Sequence, residues 1–172
     1  VLTGRNMQKL EDAKEELERL YGIKVLTFVA NIRKDADCEE LVEEVVKQTV
    51  ETFGGIDVLI NCAQASEAGV PLAVHTTEQF DLAIYSGLYA AFYYMKACYP
   101  YLVASKGSVI NFASSAGMSG GLGQAANGAA KEGIRALSRV AATEWAEDGI
   151  NVNSICPLSW TLQLEKYAKA YP

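Results

Sequence analysis

The chain has 172 residues, 50 % of them hydrophobic, and a formal net charge of -6. That length supports one well-cored domain and is too short for two comfortable ones. The acidic balance argues against a nucleic-acid or anionic-membrane surface, since either needs clustered lysine and arginine.

Helical and strand-like patterns alternate along the chain, which predicts a parallel sheet with helices on both faces. Residues 1–3 read as the end of a strand. Asn6 is a suitable N-cap for a helix in which Met7, Leu10, Ala13, Leu17 and Leu20 recur at helical spacing. Gly22 can stop it. A β-branched and aromatic run predicts a strand over 24–30. Asp35 or Asp37 can cap the next helix, whose apolar face is Leu41, Val42, Val45, Val46, Val50 and Phe53. Gly54 and Gly55 end it, and 56–61 reads as a buried strand.

A long helix dense in aromatics is expected over 78–102, with Phe80, Tyr85, Tyr89, Phe92, Tyr93, Tyr94 and Tyr99. At helical spacing such residues belong more often to a core than to an interface. Residues 108–113 read as a strand and Gly117, Gly120, Gly121 and Gly123 as a loop. A helix over 124–147 and a last strand over 150–156 follow, ended by Pro157. The most apolar stretch, 87–104, is interrupted by Lys96 and Pro100, so no membrane span is expected. Cys38, Cys62, Cys98 and Cys156 have no metal-ligand spacing and read as reduced, buried thiols of a cytoplasmic protein. His75 reads as a loop or surface histidine.

Several motifs then occur in a fixed order. Asn61-Cys62-Ala63-Gln64 follows a buried strand. The strand over 108–113 leads into Ser114. Lys131 lies in the segment Asn127-Gly128-Ala129-Ala130-Lys131, and Asn151-Val152-Asn153 leads to Pro157. Over essentially its whole length the chain resembles the short-chain dehydrogenase/reductase family. That resemblance implies a doubly wound, Rossmann-like α/β sheet binding a nicotinamide dinucleotide at the strand carboxyl ends. It implies one dinucleotide-binding domain over 1–172, incomplete because the family's first strand and Gly-rich turn would precede Val1. The family's substrate-covering region would follow Pro157. In the strand order 3-2-1-4-5-6 the missing strand belongs in the centre of the sheet. The chain is therefore expected to be an internal fragment of a longer enzyme, or the product of a truncated gene.

In the family, hydride passes between nicotinamide and a carbonyl carbon while a tyrosine hydroxyl handles the proton. By position, Ser114 would orient the carbonyl, and Lys131 would hold the ribose and lower the phenol's pKa. The family tyrosine is replaced by Asn127, a carboxamide that does not titrate near neutral pH. The family asparagine of the central helix, which supports a water near the lysine, is replaced by Gly87, and Gln64 replaces a glycine. Arg5 stands where an acidic residue would favour NAD. A guanidinium suits a 2′-phosphate, so NADP(H) is expected over NAD(H). Asn31 and Ile32 take the adenine-contact position, and Asn61, Ala63 and Pro157 complete the expected cofactor-binding set.

The substrate class implied is a small-molecule ketone or secondary alcohol. A homo-oligomer through the two long helices is implied as well. The alternative is a catalytically impaired relative serving as a nucleotide-binding or oligomerisation module.

Overall fold

The computed structural model describes residues 1–33, 37–157, 164–165 and 168–169. Asp35 and most of the tail beyond Pro157 lie outside the described residues.

Strand β1 (Leu2–Gly4) leads into helix α1 (Met7–Tyr21). Asn6 caps α1 as expected, its side chain accepting the Lys9 N–H at 3.0 Å. Gly22 ends it at a φ of 63°, donating its N–H to Glu18 O. Of the five apolar positions expected to face inward, only Leu10 is buried. Met7 and Leu20 stay 50 % and 52 % exposed, because α1 covers only two three-residue strands. Strand β2 (Thr27–Val29) is shorter than expected. The Val25 N–H goes to the Glu18 carboxylate at 2.9 Å rather than into a ladder. The Ala30 N–H donates to Gly4 O, closing the β1–β2 pair, which is parallel.

Helix α2 (Cys38–Phe53) is capped by Asp37, whose carboxylate accepts the Glu40 N–H, and stops at Gly54. Its buried Val42 and Val46 pack with Met95, Cys98 and Leu102, and with Val109 of the sheet, to form the main core. Phe53 departs from the expected inner face. It is 42 % exposed, with the Lys24 ammonium 5.7 Å from its ring centroid.

Strand β3 (Val58–Asn61) pairs in parallel with β4 (Ser108–Phe112), and β4 with β5 (Asn151–Ile155). The order β3-β4-β5 forms one sheet and β1-β2 another, with no ladder between them. A 3-2-1-4-5-6 sheet without its strand 1 leaves just this pair and triple, so the expected central gap is present. The gap is a cavity of about 560 Å³ with Leu2 and Thr3 on one side, Val58 and Ile60 on the other, and Ala91 and Tyr94 beneath. Val58 and Ile60 are consequently 53 % and 56 % exposed.

The expected long central helix is interrupted. Helix α3 (Thr77–Ala83) opens with a capping box between Thr76 and Gln79. A single π-helical turn over Ile84–Tyr89 follows, with the buried Gly87 inside it, and then α4 (Ala90–Ser105). Such wide turns are common at functional sites. Pro100 sits inside α4 without ending it. The aromatics are not all core: Tyr85 and Tyr89 stack at 4.7 Å, while Phe80, Tyr89 and Phe92 are about 40 % exposed. The expected glycine loop begins as a short helix, α5 (Ser115–Ser119), stopped by Gly120 at a φ of 68°. Helix α6 (Ala125–Glu144) follows.

All four cysteines are free, but only Cys38 and Cys98 are buried. Burial pushes the Cys98 thiol up to about 12. Cys62 and Cys156 are exposed, correcting the expectation for these two. Each directly follows the carboxyl end of a strand, β3 or β5, where the covering helices run out. His75 follows a 3₁₀ turn (Leu72–Val74) and is half-buried. No helix among the described residues is long and apolar enough to cross a membrane.

Candidate active site

Helix α6 carries Lys131 four residues after Asn127, so the two share a helix face. The Lys131 ammonium donates to the Phe112 carbonyl at 2.6 Å, reaching the end of β4 two residues before Ser114. It also lines the central cavity together with Asn61, Ala63 and Gly87. Burial lowers its pKa from the usual lysine value, and the thiols of Cys62 and Cys156 act in the opposite sense.

Ser114 is placed differently. Its hydroxyl oxygen accepts the Ala116 N–H at 3.2 Å and caps α5. The residue does not line the cavity that holds Lys131. The lysine is therefore tied to the strand that ends at Ser114, while the serine hydroxyl is engaged at a helix start.

The carboxamide at position 127 is held on both sides. Gln64 donates from Nε2 to Asn127 Oδ1 at 3.3 Å, and Asn127 donates from Nδ2 to Gln124 Oε1 at 3.1 Å. Gln64 Oε1 is buried with no partner.

The expected cofactor residues divide into groups. Arg5, Asn31, Ile32 and Ala63 line one cavity of about 240 Å³ at the carboxyl ends of β1 and β2. Arg5 is exposed and has no hydrogen-bond or ion-pair partner among the described residues. Ile32 is only 8 % exposed and packs into the main core beside Cys38 and Val42. Ala63 lies on both this cavity and the central one. Asn61 turns its amide to the neighbouring strand, donating to Asn111 Oδ1 at 2.8 Å. Pro157 is exposed and lines neither cavity.

Two residues at the site were not singled out from the sequence. Asn111 is fully buried; its Nδ2 donates to Ser138 Oγ at 2.8 Å and to Met95 Sδ at 3.3 Å. It joins β3, β4, α4 and α6 behind Lys131. The signal was a polar residue in the middle of the apolar run Val109-Ile110-Asn111-Phe112, where a buried amide must be satisfied. Tyr94 lines both cavities, and its hydroxyl is buried beside Thr3 without a formed hydrogen bond. Burial raises its pKa. One tyrosine among the many on this helix carries no sequence signal that would separate it.

Comparison with known proteins follows this geometry. The family model described as short chain dehydrogenase matches residues 1–168. A 12alpha-hydroxysteroid dehydrogenase of Clostridium sp. is 62% identical over 172 residues, covering 100% of this chain and 66% of that protein. A 2,5-dichloro-2,5-cyclohexadiene-1,4-diol dehydrogenase of Sphingobium indicum is 35% identical over 149 residues, 86% of this chain and 58% of that protein. Among solved structures, an NAD+-bound xylitol dehydrogenase superposes with a TM-score of 0.87 at 29% identity, over 96% of this chain and 63% of that one. A metagenomic short-chain oxidoreductase in complex with NADP gives a TM-score of 0.82 at 26% identity, over 92% of this chain and 70% of that one. The chain thus spans about two thirds or less of the length of these curated relatives. The chain belongs to the short chain dehydrogenase family, on a Rossmann-like α/β fold.

Proposed function

We propose that this chain belongs to an NADP(H)-dependent oxidoreductase that interconverts a ketone and a secondary alcohol on a hydroxysteroid. The observation that carries the reading is the 62% identity, along the whole chain, to a 12alpha-hydroxysteroid dehydrogenase. The apolar character of the substrate is supported by a cavity of about 540 Å³ beside the glycine segment, with Leu72 and Leu122 on its walls. These two leucines are 75 % and 68 % exposed, which is costly without a covering apolar surface.

The residues present fit a nicotinamide dinucleotide. Among the described residues Arg5 has no partner at the β1 and β2 ends, and Gln64 Oε1 and the Tyr94 hydroxyl are orphaned nearby. Arg5 would hold a 2′-phosphate, Asn31 would accept from the adenine amino group, and Lys131 would hold ribose hydroxyls. When bound, the dinucleotide supplies or takes the hydride. Ser114 would orient the substrate oxygen by donating its hydroxyl proton, since in the α5 cap its oxygen only accepts. Asn127 can donate a hydrogen bond to that oxygen and cannot supply the proton.

Purified protein mixed with NADPH and a panel of keto-steroids tests the reading. Cofactor oxidation with at least one ketone is expected; no turnover with any would overturn it. NADH binding as tightly as NADPH would remove the role given to Arg5.

A second reading, a catalytically impaired nucleotide-binding or oligomerisation module, is favoured by one observation: the carboxamide at position 127. A homo-oligomer is part of both readings, supported by the exposed Phe80, Tyr89 and Phe92 on the central helix. Sedimentation giving only monomer would count against it. The four free cysteines support a cytoplasmic location.

A further inference from the structure

We propose that Leu72 and Leu122 determine substrate specificity, as the two lips of a preformed jaw that takes the rigid, fused-ring body of a steroid. The inference rests on the oxidoreductase reading and deepens it, by assigning the apolar part of the substrate to one cavity and two side chains.

Two segments, distant in sequence, build the jaw. One is the connection from β3 to α3, with its 3₁₀ turn at Leu72–Val74; the other runs through α5 and the glycines to the head of α6. Gly69 donates its N–H to Gly123 O at 3.1 Å, and Val70 and Gln124 form a parallel bridge. The first segment is also fastened to the helices behind it. Ser86 Oγ in the π-helical turn accepts the Ala65 N–H at 2.9 Å, and Gln79 Nε2 in α3 donates to the Glu67 carboxylate at 2.7 Å. Backbone pairing thus holds the two segments as one piece, with Leu72 and Leu122 on the walls of one cavity.

Exposure singles this place out. Among the described residues, five large apolar side chains are 60 % exposed or more. Four of them, Leu72, Val74, Met118 and Leu122, lie on these two segments; the fifth is Tyr21, at the end of α1. Apolar surface concentrated in this way marks a binding surface.

The cavity itself indicates the occupant. Its wall residue Ala116 donates its N–H to Ser114 Oγ, so an apolar body lodged there brings one edge beside the serine that would orient the reacting oxygen. The floor is Gly117, Ala125, Gly128 and Ala129, which is helix backbone with almost no side chain. A Cβ on Gly117 would lie 3.0 Å from Gly128 O, so α5 and α6 meet there backbone to backbone. A floor without rotors suits a flat, rigid ligand, which loses no torsional freedom on docking, whereas a flexible acyl chain would. The volume of about 540 Å³ falls within the roughly 300–1,000 Å³ of small-molecule sites.

The test has one arm that reads binding and one that reads selectivity. In protein carrying ¹³C-methyl leucine, the two signals are identified by their loss in Leu72→Ala and Leu122→Ala. With NADP+ present, which cannot reduce a ketone, a 12-ketosteroid should shift both signals and cyclohexanone neither. Signals that ignore the steroid would overturn the proposal. So would shifts that grow with protein concentration alone, because these assign the leucines to a contact between copies.

In reduction by NADPH, the ratio of kcat/KM for the steroid to that for cyclohexanone should fall roughly ten- to a hundredfold in each alanine variant, the worth of burying one leucine. The loss should appear in KM rather than in kcat. Leu72→Met and Leu122→Met keep the apolar bulk and should retain the ratio within a few-fold. An unchanged ratio in the alanine variants, or equal losses in the methionine variants, would overturn the proposal. Leucines shifted by steroid in protein that reduces no ketone would sink the oxidoreductase reading and leave the jaw standing. Steroid reduction with silent leucines would sink the jaw alone.

Discussion

The crevice at the ends of β1 and β2 and the amide cluster at the head of α6 are built on opposite principles. The crevice offers a permanent charge with no partner among the described residues, Arg5, above a wall that is partly hydrophobic core, Ile32. The cluster offers no charge at all: Gln64, Asn127 and Gln124 are neutral amides linked in a row, with Gln64 Oε1 left unpaired. A guanidinium left unpaired costs little at the surface and gains much from a phosphate, so it suits recognition. Primary amides can donate and accept hydrogen bonds but cannot gain or lose a proton near neutral pH. The difference teaches that a charged recognition group and a titrating group need not stand together on one fold.

That contrast can be broken most directly at position 127. If the cluster lacks only a titrating group, Asn127→Tyr should raise kcat for ketone reduction by about 10²–10⁴, the usual worth of a positioned general acid. Unchanged turnover would mean that the defect extends beyond one side chain. The crevice is probed by Arg5→Ser. Loss of charge-assisted hydrogen bonds, worth about 1.5–3 kcal/mol, should cut the preference for NADPH over NADH roughly 10- to 100-fold. Comparative titration of the two cofactors measures it, and an unaltered ratio would place the phosphate elsewhere.

Asn111 supports the strands between the two regions. Asn111→Ala should destabilise the fold by about 1–3 kcal/mol, because Asn61 and Ser138 lose their partner. Urea unfolding reads this; a variant as stable as wild type would show the network to be dispensable. The smallest effect concerns Lys131, whose folded pKa lies below its ordinary 10.5. Between those two values the unfolded chain binds the extra proton, so stability rises with pH across that window. Lys131→Met should flatten the rise, as measured by melting temperature against pH from neutral towards 10.5. An unchanged slope would assign it to other groups.

Much of the fold was legible because its signals are local. Asn6, Gly22, Asp37 and Gly54 act as the caps and stops that their chemistry predicts. Strand lengths were overread where a side chain intercepts the backbone, as Glu18 does at Val25. The π turn at Gly87 was invisible, since one extra residue in a helix leaves the apolar pattern almost intact. At the site, sequence order indicated that Lys131 lies near the end of β4. It did not indicate that Ser114 would turn its hydroxyl to Ala116, because capping competes with function for the same oxygen. Asn61 was read as a cofactor contact; it lines the central cavity, and it also donates to Asn111, fifty residues away, a pairing that only the sheet register creates. Gln64 was read only as the replacement of a glycine, and its hydrogen bond to Asn127 required both chain segments in space.

The unladdered space between β1 and β3 has a mechanical consequence. The two half-sheets share no backbone ladder and face each other across a cavity. Arg5 stands on one bank and Lys131 on the other. A dinucleotide gripping both would act as a splint, and its affinity would appear as resistance to opening. At one hundred times its dissociation constant it would add about 2.7 kcal/mol to that resistance.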